Sequence, residues 1–221
     1  MRGELVLRAA AIKQDGFKDV PFDKLLECNI GNPQAVGQQP LSFGRQVLSL
    51  MCCPQLLELP GTADLFAPDA IARAKEYLAS IPNGIGAYSE SQGFPIVREQ
   101  VADFIAARDG GFRPNPKDIF LTDGASKGVG FLLSLVLRGR GDGVLVPIPQ
   151  YPLYSASLAL QESHMLGYEL VEESSWALPV PELQKKLDQA KADGIETRAL
   201  VVINPGNPTG NTLSEANMKE I

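Results

Sequence analysis

Hydrophobic positions in the first half of the chain recur at helical spacing. Leu5, Ala9 and Ile12 fall on one face of an N-terminal amphipathic segment, and residues 42–50 repeat the pattern. Ile71, Ala74 and Leu78 form a third apolar face within 68–81, and Pro68 stands where a helix begins. Gly31-Asn32-Pro33 and Pro60-Gly61 mark turns around these stretches. A further helix is predicted over 95–109.

From there the rhythm alternates. The spacing predicts a short strand at Asp118–Thr122, a helix over 126–138, a buried strand at Gly143–Pro147 and a helix after Pro152. A strand over Met165–Val171, a helix over Pro181–Ala192 and the β-branched strand RALVVIN (198–204) follow, with Ser214 as N-cap of a last helix. Strands separated by helices imply an α/β fold, a mostly parallel sheet with helices on both faces. Helical segments precede it. The expected division is a helical N-terminal part over 1–67 and the first part of a large α/β domain over 68–221.

Composition narrows the classes. The 221 residues are 44% hydrophobic, enough to bury a core, and a net charge of −6 gives no electrostatic reason to expect nucleic acid or an anionic membrane as partner. The apolar run Val129–Leu137 is far too short to span a bilayer, and MRGELVLRAAAIKQ has no uninterrupted apolar stretch of the secretory kind. Three cysteines (Cys28, Cys52 and Cys53) and one histidine, His164, do not make a disulfide framework or a zinc site. Cys52 and Cys53 are expected in a core or a helix. The expected compartment is reducing, with the cytoplasm first and mitochondria as an alternative.

Three loops carry candidate chemistry, each after a strand-like run. Thr122-Asp123-Gly124-Ala125-Ser126-Lys127 opens a helix, so the amides of Ala125 and Ser126 and the Ser126 hydroxyl face an anion at the positive end of the dipole. An ordinary strand-to-helix turn presents the same groups. Lys127 reads as decoration of the helix start. In Pro147-Ile148-Pro149-Gln150-Tyr151-Pro152, the prolines direct the chain and Tyr151 offers a flat ring, for stacking on a planar ligand or for packing in the loop. Asn204-Pro205-Gly206-Asn207-Pro208-Thr209-Gly210 is a rigid turn in which Asn207 can give an amide donor. Glycines 124, 128 and 130 do not make GxGxxG, and no GxxxxGK[ST] is present. An anion site, a ring and a neutral donor at three strand ends together describe a phosphorylated aromatic cofactor.

The succession GAYSESQG (86–93), TDGAS (122–126), PIPQYPLYSAS (147–157) and VVINPGNPTGN (201–211) resembles the fold-type I aminotransferases, which depend on pyridoxal phosphate. Within them, CNIGNPQAVGQ (28–38) and FGRQVLSL (43–50) resemble the alanine aminotransferase group. This resemblance implies that Ala125 and Ser126 bind the cofactor phosphate, Tyr151 stacks on the pyridine ring and Asn207 hydrogen-bonds its phenolic oxygen. It also implies that Tyr88 reaches the phosphate in the partner subunit's site, that Gly31 borders the substrate carboxylate, and that the protein is a homodimer, with 1–67 contributing to a small domain and dimer contacts and 68–221 forming the first part of the cofactor-binding large domain; it adds peroxisomes to the alternative compartments. The implied reaction moves an amino group from L-alanine to 2-oxoglutarate; glutamate with glyoxylate is the alternative pair, and a pyridoxal lyase is a weaker rival. In this family the lysine that bonds covalently to the cofactor follows the NPTG loop, so it is expected beyond Ile221. No lysine of the chain matches it, and a non-catalytic chain of this length is a further alternative.

Overall fold

A computed structural model describes residues 3–27 and 31–221. Cys28 lies outside the described residues. The chain divides into two compact units, Met1–Pro116 and Lys117–Ile221. The expected boundary after residue 67 falls inside the first.

The first unit holds helices α1 (Glu4–Gln14), α2 (Ser42–Cys52), α3 (Thr62–Leu65), α4 (Pro68–Ser80) and α5 (Pro95–Arg108). Pro68 and Pro95 open α4 and α5, where the missing N–H is not needed and the fixed φ suits the first turn. The core forms where α2 meets α4. Val47, Leu50 and Met51 pack against Ala70, Ala74 and Ile81, and the small alanines let the two helices approach closely. Ile71 and Leu78 border the same cluster, as their spacing predicts. Cys52 ends helix α2 and Cys53 is its C-cap, but both are exposed rather than in a core: the buried stripe of α2 runs through Val47, Leu50 and Met51, and Cys52 falls off it. On the expected face of α1, Leu5 is exposed while Ala9 and Ile12 are half-buried, and no residue of the helix is fully buried.

The second unit contains α6 (Ala125–Val136), β1 (Asp142–Ile148), α7 (Leu153–Leu160), β2 (His164–Glu169), α8 (Val180–Ala192), β3 (Glu196–Leu200) and α9 (Glu215–Glu220). Its sheet is parallel in the order β2-β1-β3. The central strand is buried on both faces, as a sheet covered on both sides requires. Val144 and Val146 pack with Leu133 of α6 and Leu158 of α7, while Leu145 packs with Tyr168 and with Leu183 of α8. A Cβ on Gly167 would lie 2.4 Å from Ile148 Cδ1, so any larger residue there requires the end of that side chain to move.

Two expectations about strands change. Asp118–Thr122 forms no strand; Asp118 ends a short 3₁₀ turn, the residues after it pair with no neighbouring strand among the described residues, and Phe120 is exposed, because an extended run is a strand only when a neighbour takes its hydrogen bonds. The 198–204 strand starts earlier and ends at Leu200. Ser214 caps α9, its Oγ accepting from the Asn217 N–H at 3.1 Å. Among the described residues no helix is long and apolar enough to cross a membrane.

Candidate functional site

The parallel pairing and the order of the connections decide at which end of the sheet the loops emerge. Because α6 leads into the start of β1, its N-terminus lies toward the carboxyl ends of the parallel strands, where the loops after β1 and after residue 200 also emerge. This is the edge at which open α/β sheets take ligands.

Gly124 shapes the first of these loops. Its φ of 80° and ψ of 167° are backbone angles that glycine alone adopts readily, and the space beside its Cα is open. The Gly124 N–H bonds back to the Thr122 carbonyl at 2.7 Å, and the Thr122 hydroxyl donates to the Gly124 carbonyl at 3.0 Å. The N–H groups of Lys127 and Gly128 also turn back to the Gly124 carbonyl. Among the described residues no side chain caps the helix, so the amides of Ala125 and Ser126, both exposed residues, have no intrahelical acceptor and are donors at the positive end of α6. Such an end fits a phosphate. Lys127 is exposed on the next position.

The second loop leaves β1 through a cis Ile148-Pro149 bond and reaches α7, whose N-cap is Pro152. Tyr151 lies between them with 43% of its surface exposed, a ring available to a ligand rather than packed away. Its neighbour Gln150 is a polar group that the sequence reading passed over. The Gln150 Oε1 is buried without a partner among the described residues, and Nε2 has only the Met165 sulfur at 4.0 Å. Tyr154, one turn on, belongs to the core, and burial pushes its phenol up from the ordinary value.

The third loop is built by its own hydrogen bonds. Gly206 N–H donates to the Asn211 carbonyl at 2.7 Å, Gly210 N–H to the Gly206 carbonyl at 2.8 Å, and Asn211 Nδ2 to the Trp176 carbonyl at 2.9 Å. A Cβ on Gly206 would stand 2.2 Å from Asn211 Oδ1, which explains the glycine. Asn207 is exposed at the turn. Pro147, Pro149, Gly206 and Asn207 line one small cleft, so the second and third loops are neighbours. The topology puts the loops that carry Ala125 and Ser126, Tyr151, and Asn207 toward the carboxyl-end edge of one sheet, and of these four residues only Asn207 lines the small cleft.

Tyr88 and Gly31 belong to the other unit. Both are exposed, Tyr88 completely, on a loop whose glycines 84, 86 and 93 all have positive φ. Arg98 of α5, buried against that loop, also went unread in the sequence. A charged residue in an amphipathic helix reads as solvated, and only the tertiary contacts reveal otherwise.

Residues 58–221 match the family described as "Aminotransferase class I and II". All of the chain aligns, at 52% identity, with 42% of "Probable alanine aminotransferase, mitochondrial" of Dictyostelium discoideum. At the same identity it aligns with 44% of "Glutamate--glyoxylate aminotransferase 1" of Arabidopsis thaliana. An aminotransferase crystal structure from Escherichia coli superposes on 100% of this chain and 44% of its own, with a TM-score of 0.72 and 25% identity. The chain therefore spans less than half the length of these relatives.

Proposed function

Because this chain belongs to the aminotransferase class I and II family, we propose that the complete protein transfers an amino group from L-alanine to 2-oxoglutarate with pyridoxal phosphate as cofactor. The uncapped N-terminus of α6 carries this reading: its two free amides beside Gly124 make a phosphate seat at the edge where Tyr151 and Asn207 also stand. Bound there, pyridoxal phosphate would supply the electron sink that lets a proton leave the amino acid's Cα.

The chain's own residues hold and orient the cofactor. Ala125 and Ser126 bind the phosphate through backbone N–H groups and the Ser126 hydroxyl, whose charge-assisted bonds are the strong kind. Tyr151 covers one face of the pyridine ring and Asn207 donates to its phenolic oxygen. Gly31 leaves room at the substrate carboxylate. Tyr88 donates to the phosphate of the partner subunit in a homodimer, so the two sites are shared. The protein's partners are then a small amino acid and a 2-oxo acid. The name of the Dictyostelium relative supports a mitochondrial location over a cytoplasmic one.

A second reading keeps the family and changes the pair to glutamate and glyoxylate, which the equal identity to the Arabidopsis relative favours. Turnover of the purified complete protein, measured with both pairs, decides between them. Alanine with 2-oxoglutarate is expected to have the higher kcat/KM; a higher value for glutamate with glyoxylate would give the second reading.

A further inference from the structure

The loop carrying Tyr88 has no regular secondary structure, yet one side chain fixes its far end. Arg98, in the first turn of α5, is only 5% exposed. Its Nε donates to the Gly93 carbonyl at 3.1 Å, its Nη1 to Gln92 Oε1 at 2.9 Å and to the Pro116 carbonyl at 3.0 Å, and its Nη2 to the Glu90 carboxylate. Three of the four acceptors belong to residues 90–93, directly after Tyr88. The fourth closes the unit's end onto the same point.

Burying a guanidinium for packing alone is costly, since an apolar side chain would fill the position without desolvating a charge. What arginine adds is a planar fork of donors that sets several acceptors at once, which the single ammonium of lysine does not reproduce. The glycines at 84, 86 and 93 leave the loop otherwise free to take other paths, because each already occupies a positive φ. The Tyr88 side chain is completely exposed, and among the described residues of its own unit nothing holds it.

We propose that Arg98 is a positioning residue for Tyr88, clamping residues 90–93 so that the Tyr88 hydroxyl is presented at a fixed place to the partner subunit. This rests on the reading that Tyr88 binds the partner's cofactor phosphate. Arg98 touches neither cofactor nor substrate; it acts through the loop.

The test is a set of variants of the complete protein, with the dissociation constant of pyridoxal phosphate titrated into apo-protein well below the unfolding midpoint. Tyr88→Phe is expected to weaken binding about tenfold, the loss of one hydrogen bond to a charged group. Arg98→Lys and the milder Glu90→Gln are each expected to weaken it by roughly three- to tenfold, and to add almost nothing when combined with Tyr88→Phe, because groups acting through one contact are not additive. If Arg98→Lys does not fold, Glu90→Gln alone decides. A lowered melting temperature with cofactor affinity unchanged in both loop variants, while Tyr88→Phe weakens binding, overturns the proposal and leaves the Tyr88 reading intact. Unchanged affinity in Tyr88→Phe overturns the Tyr88 reading itself, and the proposal with it.

Discussion

The phenolic hydroxyl of Tyr168 donates a 2.6 Å hydrogen bond to the Val201 carbonyl, in the place of the donor that Pro147 lacks. In the parallel ladder the Val201 N–H donates to the Leu145 carbonyl, so the next bond would run from the N–H of residue 147 to the Val201 carbonyl. Proline has no N–H to give. Tyr168, opposite Pro147 on β2, reaches across the central strand and satisfies the carbonyl instead. The bond joins the two outer strands just below the loop that carries Asn207.

Tyr168→Phe is therefore expected to destabilise the protein by about 1–3 kcal/mol, the cost of a half-buried carbonyl left without a partner. Burial pushes the Tyr168 phenol well above its ordinary value. A group whose pKa is raised on folding stabilises fully below its unfolded pKa, here about 10, and loses that contribution as the pH rises further. Urea unfolding should accordingly show wild-type stability falling above roughly pH 10, with a shallower fall in the variant. Equal slopes would mean that another group governs the alkaline limb.

Asp142 anchors the opposite end of the sheet. Only 1% exposed, its carboxylate accepts from the Arg138 backbone N–H at 2.7 Å, from the Arg138 guanidinium at 2.7 and 3.1 Å, and from Arg198 Nε at 3.0 Å. Asp142→Asn keeps the shape and loses the charge that these donors face. A loss of about 1.5–3 kcal/mol in unfolding free energy is expected, since both arginines remain partly hydrated and carry no large penalty of their own. Because the residue lies at the amino ends of the strands, cofactor affinity at low temperature should be unaffected.

Gly124→Ala tests the phosphate seat. There is room for the added methyl, so the effect comes from backbone angles that alanine resists, a strain of about 1–3 kcal/mol. Relief of that strain turns the Ala125 and Ser126 amides away. Pyridoxal phosphate affinity should fall at least tenfold, and competition by inorganic phosphate should weaken with it; unchanged phosphate competition would move the anion site elsewhere.

Particular residues show how far the chain could be read without its structure. The helix starts at Pro68 and Pro95, the buried strand before Pro147, and the turn chemistry of Gly124 and Gly206 are local signals, written in one or two side chains each. RALVVIN read as a longer strand because its β-branched pattern says nothing of Pro147, whose missing N–H ends the ladder on the neighbouring strand. Asp118–Thr122 read as a strand because propensity is local while pairing is not. The same limit hid Arg98 and the orphaned Gln150 oxygen, since burial of a polar group depends on residues remote in sequence.

The fate of the alanine nitrogen decides whether the complete protein is the proposed transaminase. Complete protein loaded with pyridoxal phosphate, given L-alanine carrying isotopically labelled nitrogen together with 2-oxoglutarate, is predicted to yield labelled glutamate and pyruvate in equal amounts. Absence of labelled glutamate, or release of the label as ammonia, would contradict it.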